Sequence, residues 1–229
     1  MMPAFSIVVF AKNEEENISF VADELLQKYP AHKIVFVLDG RIEPTAKILS
    51  ERNIGFILGT NQGKGAAIRK AIRDIGSDVL VFMDADGSHS PSEIESLLEP
   101  MGNEQVAMVV GSRFLGSSEE LHETVSDRIR YVGNVSGNAV INFLWNRTGR
   151  IISDAQNGFR SIRRAVFSGL SLEENSFSIE QEMVIKCLKK GHRLCEVRSY
   201  ERKRRFGRSH ISAGHFMDYV GCILKNMIR

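Results

Sequence analysis

Five short apolar runs punctuate the first half of this 229-residue chain: Phe5–Phe10, Ile34–Leu38, Ile54–Leu58, Val79–Met83 and Val106–Val110. Each is nearly continuous rather than alternating, the signature of strands covered on both faces. Amphipathic segments separate them. Glu14–Tyr29 carries Ile18, Val21, Leu25 and Leu26 on one face, and Gly65–Ile75 carries Ile68, Ala71, Ile72 and Ile75. A shorter helical segment, Ser92–Glu99, follows Pro91. This alternation predicts an α/β fold with a doubly wound, mostly parallel sheet and helices on both faces. Such sheets bind ligands beyond the C-terminal ends of their strands. The polar clusters AKNEEEN, DGRIEPT, GTNQGKG, DADGSHS and GSRF follow the five runs in turn, so all five fall on one rim. Five such clusters at one edge predict a site.

The second half is less regular. Asp127–Trp145 reads as a helix, with Ile129, Val132, Ala139, Val140, Phe143 and Leu144 on one face. Trp145 is either core or an interfacial anchor, and Gly133-x-x-x-Gly137 predicts close backbone packing. Ser178–Lys190 reads as a helix opened by a capping box, Ser178 with Gln181, and closed by Gly191. A strand, Leu194–Tyr200, and an amphipathic C-terminal helix with Phe216, Val220, Ile223, Leu224 and Met227 complete the chain. With no repeat and no low-complexity linker, one domain over 1–229 is the simplest organisation. Its first half is 1–115, its second 116–210, and its terminal helix 211–229. Cys187, Cys195 and Cys222 form no CxxC pair and predict reduced thiols of a cytosolic compartment. Met1–Ala4 lead into the first strand without a signal pattern, and no apolar run reaches the ~18 residues of a membrane span.

The stretch Val79–Pro91, VLVFMDADGSHSP, carries the sharpest chemistry. Asp84 and Asp86 repel each other unless something positive lies between them; a metal ion, alone or with a phosphorylated ligand, is the usual answer. A strand running into Asp-x-Asp-Gly-Ser also resembles the nucleophile motif of haloacid-dehalogenase-type phosphatases. That chemistry needs a later acidic pair, and no Gly-Asp-x-x-x-Asp or Asp-Asp follows residue 120. Gly63-Lys64-Gly65 is not a P-loop, because Leu58 stands where the first Gly belongs and Gly65 replaces the Ser/Thr. Its helix start and Lys64 could still receive an anion. His89 is either a metal neighbour or a cap for the helix after Pro91. Arg198–Arg208 sets six basic residues against Glu201 alone. A solvated face, an acidic partner or nucleic acid could each use it, but base-stacking aromatics are missing apart from Phe206, which disfavours single-strand binding.

Taken in order, FAKNEEENI, LDGRIEPT, NQGKGAAIRKAI, DADGSHSP, GSRF, DAQNGFRSIRR, EQEMVIKCLKKGHRLCEV and RRFGRSH resemble the family 2 glycosyltransferases of GT-A fold. More narrowly they are similar to the dolichyl-phosphate mannosyltransferase and polyprenyl-phosphate glucosyltransferase branch. The resemblance implies a metal-dependent, inverting transfer of a hexose from GDP-mannose or UDP-glucose to a polyprenyl phosphate, with no nucleic acid partner. It implies Mg²⁺ or Mn²⁺ on Asp84 and Asp86, with Ser88 as an extra ligand. Ala11, Asn13, Glu14, Asp39, Lys64, Asp84, Ala85 and Asp86 would hold the nucleotide sugar. Arg113, Arg160, Glu182, Arg202, Arg205 and Ser209 would serve phosphate and acceptor, with Asp86, Arg113 and Arg205 central to catalysis. Asp154 belongs to the same acceptor-side segment as Arg160.

An alcohol acceptor needs a general base. A polyprenyl phosphate, whose second pKa is about 6, is already largely ionised and asks for cations instead. Glu180 and Glu182 are the candidate bases, although a structural role is the first expectation for both. Lys12, Leu38, Arg41, Glu43 and His210 depart from the family pattern, and most of them lie where the nucleoside would bind, so the donor stays open. The resemblance implies a cytoplasmic protein acting at the membrane face. The two helices Asp127–Trp145 and 211–229 are candidates either for that surface, flanked by Arg147, Arg150, Lys225 and Arg229, or for packing on the core or a second subunit.

Overall fold

The computed structural model describes residues 3–119, 125–206 and 213–228; of 125–130 and 213–216 it describes the backbone. Among the described residues seven strands join one sheet, in the order β3-β2-β1-β4-β6-β5-β7. They are β1 Phe5–Lys12, β2 Ile34–Asp39, β3 Gly55–Leu58, β4 Val79–Asp84, β5 Val106–Ser118, β6 Arg160–Arg163 and β7 Arg193–Glu201. β1 pairs in parallel with β2 and β4, β2 with β3, and β5 with β7. β6 alone is antiparallel, inserted between β4 and β5. The expected doubly wound, mostly parallel sheet is therefore present.

Strand alternation explains the two-sided core. In β1, Val8 and Phe10 face one cluster with Leu80 and Phe82 of β4, under helices α3 (Lys64–Asp74) and α7 (Ile179–Lys189). Ile7 and Val9 face the other with Val79, Val81 and Met83, under α1 (Glu15–Leu26), α2 (Glu43–Glu51) and α4 (Ile94–Leu98). Each such side chain contributes roughly 1.5–3 kcal/mol on burial. This pins strand register, because a one-residue slip would exchange the two cores.

Four expectations need correction. Helix α2 went unread because only Thr45 and Leu49 of its nine residues are buried. β6 reads as RSIR, and its first residue, Arg160, is fully buried. β5 runs on to Ser118, so Arg113 projects from a strand rather than from the loop that GSRF suggested. The capping box at Ser178 does not form either: its backbone is already helical and its side chain makes no cap bond. Ser178 Oγ donates to Glu174 Oε2 (2.8 Å), and Gln181 donates to the carbonyl of Tyr219 (2.9 Å).

The remaining helices are α5 (Val125–Trp145), α6 (Arg164–Ser168) and α8 (Ala213–Ile228). Trp145 packs against the core beside Ile223 of α8. No helix among the described residues is long and apolar enough to cross a membrane. Cys187 and Cys222 are buried free thiols, and burial pushes each up to about 12.

Candidate active site

Two adjacent cavities lie at the C-terminal rim of β1, β2 and β4. The larger, about 430 Å³, is lined by Ala11, Lys12, Glu14, Asp39, Gln62, Lys64, Asp84, Ala85, Asp86 and the segment Asn175–Phe177. The smaller, about 60 Å³, is lined by Ser88, His89, Arg113, Gln156, Asn157, Gly158, Glu180, Glu201 and Tyr219. Lys64, Asp84, Asp86, Phe177 and Arg204 line both. The acid pair and two cations thus form the wall shared by two chambers.

Local structure fixes that wall. The Ala85 N–H donates to the carbonyl of Phe10 (3.0 Å), tying the turn after β4 to the end of β1. Asp86 Oδ1 accepts from the Ser88 N–H (3.0 Å) and Oγ (2.6 Å), while Oδ2 faces Arg204 Nη2 at 3.2 Å. Lys64 Nζ lies 2.8 and 2.9 Å from the two oxygens of Asp84, and 2.8 Å from Glu180 Oε1. Burial alone would depress the Lys64 ammonium, but Asp84 and Glu180 outweigh it and raise its pKa. Burial likewise pushes the Asp84 carboxyl up, and the charges of Lys64 and His89 overcome that and lower it. Burial, followed by Asp86 and Asp84, raises Glu14 despite the hydrogen bond from Asn17.

The GKG segment does not present an open helix start. The Gly65 N–H donates to the carbonyl of Asn175 (2.9 Å), so the 173–177 segment closes over it. Gly63 has φ +100°, and a Cβ there would stand 2.3 Å from Asn175 O; one at Gly65 would stand 2.0 Å from Glu174 O. The glycines thus admit a backbone, and Lys64 reaches the acids from that closed turn.

Seven of the eight residues expected to hold a nucleotide sugar line the larger cavity: Ala11, Glu14, Asp39, Lys64, Asp84, Ala85 and Asp86. Asn13 does not. Its Oδ1 accepts the Arg41 N–H (3.0 Å) and so braces the neighbouring loop. The acceptor-side expectations fare less evenly. Arg113 is in place, gripping fully buried Asp154 through Nε (2.8 Å) and Nη2 (3.0 Å), with Nη1 3.4 Å from Glu201. Asp154 therefore orients Arg113. Arg160 is not in either cavity. It is fully buried and donates to the carbonyls of Asn157, Ala155 (3.2 Å) and Glu180 (2.8 Å), and burial pulls it down to about 10. It is a clamp between the turn before β6 and the first turn of α7. Glu182 is also turned away, binding the N–H groups of Glu173 and Glu174 (2.9 Å each) and Lys186 (2.7 Å). Arg202 pairs with Glu24 (3.1 Å) and Ser90 (2.6 Å), outside both cavities. Ser209 lies outside the described residues, as do Arg208 and His210.

Two residues change places relative to the sequence expectation. Arg205 stacks its guanidinium on Phe20, 4.3 Å from the ring centroid, and it is Arg204 that enters the site. Arg204→Ala should therefore lower kcat/KM by about 10²-fold, the scale of one lost charge-stabilising donor. Arg205→Ala should cost less than about fivefold. Steady-state kinetics on the two variants distinguishes them; the reverse ranking would mean that this segment rearranges on binding.

Two polar groups face the smaller cavity without a protein partner. Glu180 Oε2 has none. His89, 2% exposed, stacks on Phe159 at 4.8 Å, and both of its ring nitrogens lack one. It does not cap the following helix, since Ser90 Oγ accepts the Ser92 N–H. Buried polar atoms in this condition cost free energy until a ligand serves them.

Gly158 explains part of the NGF segment. A Cβ there would stand 2.8 Å from Lys64 Nζ and 3.1 Å from Asp84 Oδ2. Gly158→Ala should displace the ammonium and weaken nucleotide-sugar binding by at least about tenfold, or 1.4 kcal/mol. Isothermal titration of the variant checks this, and unchanged affinity would show that Lys64 yields freely.

A parallel sheet with one antiparallel insertion, ending in an Asp-x-Asp turn between two chambers, defines the GT-A class. The profile described as Glycosyl transferase family 2 matches residues 6–170, and the chain belongs to that family. Glycosyltransferase AglJ of Haloferax volcanii is 27% identical over 190 residues, covering 82% of this chain and 59% of its own length. The UDP-N-acetylglucosamine–dolichyl-phosphate N-acetylglucosaminyltransferase of Methanococcus voltae is 29% identical over 187 residues, 72% of this chain and 71% of its own. The chain thus spans under two thirds of the first relative and somewhat more of the second. Among solved structures, glucosyl-3-phosphoglycerate synthase from Mycobacterium tuberculosis with Mn²⁺, UDP and glucosyl-3-phosphoglycerate superposes with a TM-score of 0.76 at 17% identity, over 98% of this chain and 80% of that one. That likeness shows the shared fold.

Proposed function

We propose that this protein is an inverting glycosyltransferase that moves one sugar from a nucleotide diphosphate sugar to a polyprenyl phosphate. The observation that carries the reading is the shared wall: Lys64, Asp84, Asp86 and Arg204 border both chambers, where a leaving diphosphate and an attacking group must meet. The larger chamber has the volume of a small-molecule site and takes the donor. Glu14 and Asp39 line it, and this reading assigns them to the nucleoside. GDP-mannose and UDP-glucose remain the candidate donors, and the Methanococcus voltae relative adds UDP-N-acetylglucosamine.

The donor set suits a divalent cation. Asp84 and Asp86, with the Ser88 hydroxyl, are hard oxygen ligands of the kind Mg²⁺ and Mn²⁺ prefer. Among the described residues no cluster of three His, Cys, Asp or Glu stands ready for a metal. Both carboxylates instead hold cationic partners, Lys64 on Asp84 and Arg204 on Asp86, which would have to yield for the two acids to hold a divalent ion together. A bound divalent ion supplies charge neutralisation for the diphosphate leaving group. The chain's own contribution is orientation: Ser88 fixes the Asp86 carboxylate, Lys64 fixes Asp84, and Arg113, locked by Asp154, holds its Nη1 beside Glu201 (3.4 Å) at the wall of the smaller chamber. His89 offers that chamber a further hydrogen bond. These groups suit an acceptor that arrives as an anion.

A second reading is favoured by the unpartnered Glu180 Oε2. In a hydroxyl acceptor's site this oxygen would be the general base. Glu180→Gln separates the two. If a hydroxyl is the acceptor, turnover should fall by about 10²–10⁴-fold, the contribution of a positioned base. With a polyprenyl phosphate the loss should stay within about tenfold, and donor affinity, measured in parallel, should account for it.

A further inference from the structure

Helix α5 carries its polarity inside out. Its inward face is built on asparagines: Asn138 accepts the Ala155 N–H (3.1 Å) and donates to Ser153 O, while Asn142 donates to Ile152 O (2.7 Å) and accepts the Ile152 N–H (2.9 Å). Asn146 continues the ladder one turn on, donating to Arg150 O (2.6 Å). With Ile141, these asparagines fasten the helix to the 150–155 segment. Its outward face carries Val132, Val135, Val140 and Phe143, the last 81% exposed, and Ile151 continues it at 79%. From Val132 to Phe143 this stripe runs roughly 16 Å along the helix.

Three observations say what covers it. From Tyr131 to Ser153 the sequence has no acidic residue, and its two charged residues, Arg147 and Arg150, are both exposed beside the apolar end. The Phe143–Ile151 end of the stripe, with these two cations beside it, complements an anionic lipid surface, and Asp127 with Arg128 and Arg130 precedes the other end. Next, the stripe begins beside the strand that carries a residue of the smaller chamber: Tyr131 packs on Phe114, 5.3 Å between ring centroids, and Phe114 follows Arg113, which lines that chamber. Finally, α8 packs on α5, supplies Tyr219 to the same chamber, and exposes Leu224, Met227 and Ile228 on its own outer side.

The geometry points to the outer face of α5 as a bilayer-docking surface that lies flat on anionic phospholipid and delivers a lipid-linked acceptor phosphate to the chamber at its end. The inference rests on the polyprenyl-phosphate reading for the acceptor, though not for the surface itself. A prenyl chain whose phosphate sits beside Arg113 leaves past Phe114 and Tyr131 directly onto this stripe.

The test is co-sedimentation with vesicles of phosphatidylcholine containing a minor share of phosphatidylglycerol, and with phosphatidylcholine alone. The wild-type protein is expected to bind the anionic vesicles and to bind the neutral ones more weakly. Phe143→Glu and Ile151→Glu should each reduce binding by more than about tenfold. Because both side chains are exposed, thermal melts and turnover of a short, water-soluble prenyl phosphate should stay unchanged. Wild-type protein that remains in solution with anionic vesicles overturns the proposal. So does a wild-type dimer in light scattering that Phe143→Glu converts to monomer without altering vesicle binding, since the face would then belong to a second copy. Vesicle binding that responds as expected while no sugar reaches the short prenyl phosphate would sink the acceptor reading and leave the surface standing.

Discussion

Lys64→Met should lower the melting temperature by about 5–15 °C, measured with a chelator present. The ammonium is the one group bonded to both Asp84 and Glu180. Removing it leaves two carboxylates facing each other, with the Glu180 side chain only 3% exposed. Breaking a buried pair from one side costs about 3–5 kcal/mol, and each kcal/mol moves the midpoint by about 2–4 °C at this size. The Asp84 side chain, 29% exposed to the cleft, holds the effect to the lower part of that product. Adding Glu180→Gln to the variant should recover much of the loss, which a general packing defect would not allow.

The pH dependence has a definite sign. In the wild type the Asp84 pKa is lowered from its ordinary 3.8, so its stabilising contribution is fully present above that value and is lost as pH falls through the lowered one. Between about pH 5 and 8 it is constant. In Lys64→Met, burial, the largest influence on Asp84, loses its main opponent, and the folded carboxyl rises above its unfolded value. Protonation then favours the folded variant, so the gap in melting temperature should narrow as pH drops from about 8 to 5. A gap that widens towards acid would mean that Lys64 does not hold this pair.

The parallel half of the fold was legible because its signal is local. Near-continuous strands and 3.6-residue periodicity survive in any tertiary context, and the C-terminal rim rule then gathers residues 11–14, 39, 64 and 84–88 without further information. What stayed illegible depends on which way single side chains turn. Arg204 and Arg205 are neighbours in an irregular segment, where sequence supplies no face; backbone pairing with Asp86 and Ser88 decides that Arg204 enters the site. Glu180 and Glu182 lie about 200° apart around a helix, so only one can look into a given cavity. The choice falls to Arg160, which grips the carbonyl of Glu180 from inside the core. A buried arginine satisfied mainly by carbonyls has no sequence signature distinct from a surface one. That is also why Arg160 resembled a phosphate ligand. The outward polarity of α5 was half legible: its apolar face was visible, but not that asparagines would take the core side.

Asp86→Asn should abolish the metal-dependent part of nucleotide-sugar binding and reduce kcat/KM by about 10³-fold, equivalent to about 4 kcal/mol of lost charge stabilisation. The substitution is nearly isosteric, and its remaining carbonyl oxygen can keep both bonds from Ser88, so the turn should survive and the melting temperature of the unliganded protein should change little. On the other side an amide N–H₂ would replace Oδ2 opposite Arg204 Nη2, setting donor against donor across 3.2 Å. The variant thus loses a metal ligand and disperses the cation of the shared wall at once. A thermal-shift panel of UDP- and GDP-sugars, with and without Mn²⁺, reads both consequences. The wild type should rise with one nucleotide series only when the metal is present, and Asp86→Asn should show no such rise. A metal-dependent rise that persists in the variant would place the ion on Asp84 without Asp86. The shared wall would then be held by Lys64 and Arg204 alone, and the 10³-fold loss should move to Arg204→Ala.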